Sequence, residues 1–112
     1  MSIQRCVPAV KIPARDFSET AELFKALGDP SRLAIVATLA RARDEVCACD
    51  FTIGLPLGQP TVSHHLKQLK EAGLVQSRRI GTWAHYRLAP DAAEKIRSAV
   101  DSLFVTRKGA AA

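Results

Sequence analysis

Only three cysteines occur among 112 residues, and no apolar run approaches the roughly 20 residues that a bilayer span needs. The segment MSIQRCVPAV lacks the long apolar stretch of a signal peptide. These absences exclude a membrane role and lead us to expect a cytoplasmic protein. In that setting the cysteines are thiols rather than a disulfide framework. Equally missing are a nucleophile–base–orienter set, a phosphate-cradling glycine loop and an acidic pair, so an enzyme is not expected. There are no internal repeats. Low complexity is confined to the tail Gly109 to Ala112, which is expected to fray.

What is present points to one globular domain. Apolar residues make up 47 % of the chain, enough for a modest core at this length. The net charge is +5, and it is unevenly placed. Between Gln59 and Leu88 lie Lys67, Lys70, Arg78, Arg79 and Arg87, against the single acid Glu71. A localised basic surface is the footprint of phosphate binding. Charge alone leaves a merely solvated basic face equally open.

The pattern of elements is mainly helical. Residues 1–15 carry Pro8 and Pro13 and no helical period, so they read as a flexible arm. A first helix is expected from Phe17 to Leu27, with Asp16 and Glu19 spaced as a capping box and Gly28 as its stop. Asp29-Pro30 opens a second, with Leu33, Val36 and Leu39 inward. A short third helix spans about Cys49 to Leu55. A fourth runs from Gln59 to Ala72, ended by Gly73. Two strand-like runs, Leu74 to Arg79 and Thr82 to Leu88, form a hairpin around Ile80-Gly81. A last helix carries Ala92, Ile96, Val100 and Leu103 on one face. No β-α-β alternation occurs. The order is that of a winged helix-turn-helix over residues 16–106, with a tail at 107–112.

The fourth helix separates two faces. At about 100° per residue, Val62, Leu66 and Leu69 share a narrow inward arc. His64 lies opposite with Lys67, flanked by Gln59, Thr61 and Ser63. Hydroxyl, amide, imidazole and ammonium groups near a helix N-terminus suit base edges and phosphates in a major groove. His65 borders the apolar arc and reads better as a packed histidine. His64 and His65 diverge by about 100°, which argues against one shared metal ion. Arg78, Arg79 and Arg87 on the hairpin suit contacts to the DNA backbone or minor groove. Trp83 and Tyr86 read as anchors of the hairpin, with base stacking as the alternative.

Three segments carry a resemblance. Ala26-Leu-Gly-Asp-Pro-Ser-Arg-Leu33, Glu45-Val-Cys-Ala-Cys-Asp-Phe51 and Gln59-Pro-Thr-Val-Ser-His-His-Leu-Lys-Gln-Leu-Lys-Glu-Ala-Gly-Leu-Val75 resemble the ArsR/SmtB family of winged-helix metalloregulators. The resemblance spans roughly residues 20 to 92. Thr-Val-Ser-His-His-Leu is specific for the family and Cys-x-Cys-Asp for its thiolate-sensing members. It implies a dimeric repressor that holds double-stranded operator DNA when metal-free and releases it on binding an inducer. Gly58 stands where a serine cap is more usual, and glycine is an acceptable cap. The last helix has no histidine, which argues against the zinc site of some relatives.

Cys47 and Cys49 are the expected ion site. Thiolates select soft ions. On an ideal helix residues two apart point about 200° from each other, so the two can share an ion only if the helix starts at or after them, or if its first turn unwinds. Cys6 on the arm would complete a three-sulfur site, in cis or from a partner, or is a bystander. Three thiolates without a fourth ligand suit trivalent arsenic or antimony, whereas structural zinc usually takes four. Cadmium and lead sensors of the family add further N-terminal cysteines, so arsenite or antimonite is favoured over Cd(II) or Pb(II) as inducer, with no resident cofactor required. Thiol-redox regulation ranks lower, because adjacent-but-one cysteines form strained disulfides. A soft-metal buffering protein is the alternative of a different class; it would leave the basic hairpin unexplained. Ile96, Val100, Leu103 and Phe104 exceed what a chain this small can bury, which favours a two-fold homodimer.

Overall fold

The computed structural model describes residues 10–104. The expected arm and tail lie largely outside them, as does Cys6. The elements are α1 (Ser18–Leu27), α2 (Pro30–Arg41), β1 (Val46–Cys47), α3 (Ala48–Gly54), α4 (Gln59–Glu71), β2 (Val75–Ile80), β3 (Trp83–Leu88) and α5 (Ala92–Ser102). This is the expected winged helix-turn-helix with one addition. Strand β1 pairs antiparallel with β3, giving a three-stranded sheet of order β1-β3-β2. Two residues carry no alternation to read, so only the partner strand reveals β1.

Local chemistry sets the helix ends. Asp29 caps α2, its carboxylate accepting from the N–H groups of Ser31 at 2.9 Å and Arg32 at 3.1 Å, while Pro30 occupies the first turn, where its missing N–H costs nothing. The capping box expected at α1 does not form. Asp16 instead accepts from Ser18 N at 2.9 Å and Ser18 Oγ at 2.7 Å, a local turn that delays the helix to Ser18. Helix α4 ends at a left-handed Gly73, φ +78°. There Gly73 N–H donates to the Lys70 carbonyl and Leu74 N–H to that of Leu69, the paired closure of a Schellman motif. Its apolar clasp is Leu69 against Leu74, both fully buried.

The core forms where the helical faces meet the inner face of the sheet. Ile35 of α2, Val62, Leu66 and Leu69 of α4, and Leu74 are its fully buried side chains. Leu23, Leu39, Phe51 and Val75 extend the same cluster. One expectation fails here. Leu33 is 52 % exposed and Ile35 is inward instead. Helix α2 is apolar nearly all round (Leu33, Ile35, Val36, Leu39), so periodicity alone does not orient it. Ile35 and Leu39, one turn apart, face the core together. None of the helices among the described residues is long and apolar enough to cross a membrane.

Candidate nucleic-acid interface and thiol site

Helix α4 presents its polar side as the sequence implies. Gln59, Thr61, Ser63, His64 and Lys67 are all exposed, while Val62, Leu66 and Leu69 are buried beneath them. Gly58 caps the helix in extended conformation, and Pro60 sits in the first turn. His65 is the packed histidine expected, with its Nε2 3.8 Å from Asp29 Oδ2 and its side chain 12 % exposed. The Asp29 carboxyl is held below its ordinary range, first by the Arg32 N–H it accepts from; burial opposes this and the nearby His65 reinforces it. One carboxylate thus caps α2 and faces the recognition helix.

The hairpin divides its arginines between two faces. Register pairs Gln76 with Arg87, Ser77 with Tyr86, Arg78 with His85, Arg79 with Ala84 and Ile80 with Trp83. Alternation then sets Arg79 on the side of Ser77 and Tyr86, and Arg78 and Arg87 on the other. Lys70 of α4 donates to Ser77 Oγ at 2.8 Å, which ties the helix to the Arg79 side of the wing. Arg78 Nε lies 2.8 Å from both carboxylate oxygens of Glu45, so its charge is partnered within the chain. Arg87 Nε donates to Gln76 Oε1 at 3.0 Å and Arg79 Nη1 to the Thr82 carbonyl at 3.1 Å. Those acceptors are neutral, and among the described residues neither guanidinium has an ion-pair partner, so both charges stay available to phosphate. Sequence reading missed Lys70 as a brace and Glu45 as a partner; only the register shows either. Tyr86 packs against the core as expected. Trp83 does not anchor the hairpin: it is 45 % exposed at its tip.

The thiols sit where strand becomes helix. Cys47 ends β1 opposite His85 of β3 and caps α3 with extended backbone, φ −69° and ψ 141°. Its Sγ accepts from the N–H of Cys49 at 3.4 Å. The helix begins at Ala48, between the two thiols, so Cys47 lies outside it and Cys49 in its first turn; of the two expected conditions for sharing an ion, the one that applies here is an unwinding of that first turn. Both are half-buried and free. A hydrogen bond with Cys47 holds the Cys49 thiol above its usual value, and desolvation adds to this. No group of three potential metal donors converges among the described residues. Phe51 carries α3 into the cluster that holds Leu66 of α4. The thiol site is thus built on the element that supports the recognition helix and is hydrogen-bonded to the wing strand.

Comparison with known proteins agrees with this architecture. The profile of the bacterial regulatory proteins of the arsR family matches residues 29–77. The chain is 44 % identical over 87 residues to an uncharacterized helix-turn-helix transcriptional regulator of Methanocaldococcus jannaschii, covering 78 % of this chain and 97 % of that one. It is 46 % identical over 69 residues to the arsenical resistance operon repressor of Escherichia coli, covering 62 % of this chain but only 58 % of the repressor. Among solved structures it is similar to a homodimeric winged helix-turn-helix domain of Mycobacterium bovis, a possible ArsR-family regulator, with a TM-score of 0.64 at 28 % identity over 83 % of this chain and 90 % of that domain. Fold, motifs and relatives agree: the chain belongs to the ArsR family of winged-helix DNA-binding transcriptional repressors and is not an enzyme.

Proposed function

We propose that this chain is a homodimeric, metalloid-responsive repressor that leaves its operator when arsenite or antimonite binds Cys47 and Cys49, with Cys6 as a third sulfur. The observation that carries this reading is the position of the two thiols at the junction of β1 and α3. An ion gripping both sulfurs competes with the Cys49 N–H for Cys47 Sγ, the bond that closes the first turn of α3. The disturbance passes along α3 to α4 and through the β1–β3 pairing to the wing. The reading helices of a dimer must stand one DNA turn apart, about 34–36 Å, so a small rotation of each is enough to lose the operator.

In this reading Gln59, Thr61, Ser63, His64 and Lys67 enter the major groove, while Arg79 and Arg87 of the wing approach phosphates, and Arg78 joins them only by exchanging Glu45 for a phosphate. The body is the segment 16–106, with 1–15 as an arm that brings Cys6 to the site. Exposure of Val100, Leu103 and Phe104 at the end of α5 supports a dimer, as does the homodimeric state described for the Mycobacterium bovis domain. The name of the Escherichia coli relative supports an arsenical inducer.

The test is fluorescence anisotropy of the reduced protein on promoter DNA of its own gene, with arsenite, antimonite, cadmium, lead and zinc titrated separately. Release by the metalloids at far lower concentration than by the divalent ions is expected. Proton release separates the two chemistries. Arsenous acid exchanges As–O for As–S bonds, and each thiol proton leaves in water, so binding liberates no net proton. Cadmium or lead displaces thiol protons, so its apparent affinity rises with pH. Release mainly by the divalent ions would change the inducer and keep the fold. Cys6→Ser should weaken the arsenite response; an unaltered response would make Cys6 a bystander.

The wing has its own test. Arg79→Ala should weaken binding to all duplexes alike and reduce the slope of log affinity against log salt by about 0.9, the value for one phosphate contact. An unchanged slope would remove Arg79 from the backbone.

A further inference from the structure

The hairpin ends in an apolar pair that no part of the core uses. Ile80 and Trp83 face each other across the last rung of β2 and β3, and each is 45 % exposed. Single apolar residues at a surface are ordinary. Two large ones side by side at the end of a ribbon are not needed for folding, because Tyr86, Leu88 and Val75 already fasten the hairpin's inner face. The tip is also held in shape. Gly81 takes φ +65°, as a tight two-residue hairpin turn favours, and the Arg79 guanidinium bonds the Thr82 carbonyl.

The surroundings select the partner. From Ala72 to Pro90 the chain has three arginines and no acid; Glu45, from outside the ribbon, partners Arg78, which leaves the charges of Arg79 and Arg87. Such a ribbon is drawn to a polyanion. An indole and a branched aliphatic gain nothing from phosphate. They gain where an apolar or π surface lies within the polyanion, as on the floor of a DNA groove or between base steps. A protein surface offering apolar contact would more often carry acids to match the arginines, or meet fewer of them.

We propose that Ile80 and Trp83 form an apolar wedge that enters the minor groove beside the half-site read by α4 and bends the duplex there. This rests on the reading of the wing as a DNA contact and adds a second mode to it: arginine for phosphate, the apolar pair for groove floor and base step. The wedge contributes shape and deformability to operator choice, favouring steps that unstack easily, such as TA and CA.

Trp83 is the sole tryptophan, so its emission reports the tip directly. The experiment uses the full chain and a duplex that it selects from a random library. Saturating duplex should shift the emission to the blue and quench it. Trp83→Ala should weaken binding roughly 5- to 150-fold, the range for losing one aromatic–base contact, with an unchanged salt slope. The duplex, labelled at both ends, should lose its bend by energy transfer. Trp83→Phe should retain most of both, and Ile80→Ala should show a smaller loss. Unchanged emission at saturation, or Trp83→Ala with wild-type affinity and bend, overturns the wedge and leaves the repressor reading intact. Weaker binding that traces to a lost dimer by sedimentation also overturns it and assigns the tip to contact between copies. If the wild-type chain selects no duplex, the repressor reading and the wedge fall together.

Discussion

Cys47→Ser is expected to keep operator binding and to abolish its release by arsenite. Serine is among the best helix caps, and its oxygen can take over the Cys49 N–H that Cys47 Sγ now accepts at 3.4 Å. The start of α3, and with it the support of α4, is preserved. The hydroxyl is a hard, neutral donor and does not replace a thiolate toward a soft ion. Outer-sphere partners of a metal ligand cost roughly 10–100-fold when removed; removing the ligand itself should raise the arsenite needed for half-release by more. The check is the anisotropy titration on operator DNA, wild type beside variant. A variant that no longer binds DNA at all would show that Cys47 holds the fold rather than senses. A variant still released at the wild-type arsenite concentration would take the site away from the β1–α3 junction.

Leu66→Ala should cost about 2–5 kcal/mol, the range for truncating a fully buried leucine. Leu66 has no exposed surface and lies at the centre of the cluster that joins α2, α3 and α4. Against a total of roughly 5–15 kcal/mol for a domain, this is a large fraction. Each kcal/mol moves Tm by roughly 4–8 °C at this size, so a fall of about 10 °C or more is expected in calorimetry. Operator binding should be lost as temperature rises, well before that of the wild type. The neighbour Lys67→Ala should leave Tm nearly unchanged, within about 0.5 kcal/mol, while weakening DNA binding. A Tm shift of Leu66→Ala no larger than that of Lys67→Ala would mean that α4 is not packed as described.

Legibility in the sequence differs from element to element. Helix α4 is legible to within a residue, because Val62, Leu66 and Leu69 recur at helical spacing and Gly73 ends the helix by its own conformational freedom. The hairpin is legible from two strand-like runs around Gly81. The polar face of α4 and the adjacency of Cys47 and Cys49 need no coordinates, since short-range geometry carries both. Motif chemistry alone also reaches the family.

Other features require the folded chain. Periodicity misorients α2, because a helix apolar on most sides has no preferred face until a core selects Ile35 over Leu33. One miss is local rather than tertiary: the capping box at α1 loses to a bond between Asp16 and Ser18, two residues apart, because the same carboxylate has two nearby donors and spacing alone does not rank them. Strand β1 is invisible in two residues and exists only because β3 lies beside it. That pairing sets Cys47 outside α3 and links the thiols to the wing. Register likewise separates Arg79 from Arg78 and Arg87, and brings Glu45 to Arg78 from 33 residues away.

The sequence by itself thus determined the features that neighbours within about one helical turn or one hairpin impose: the helices and the hairpin, the cap of α2 and the stop of α4, the amphipathic division of α4 and the identity of the soft donors. The tertiary structure decided which faces are inward, which arginines keep an unpartnered charge, and that an indole stands exposed at the wing tip rather than anchoring it. The physical reason is range. Capping, periodicity and turn preference act through bonds along the chain, whereas burial and strand register depend on surfaces that meet only after folding.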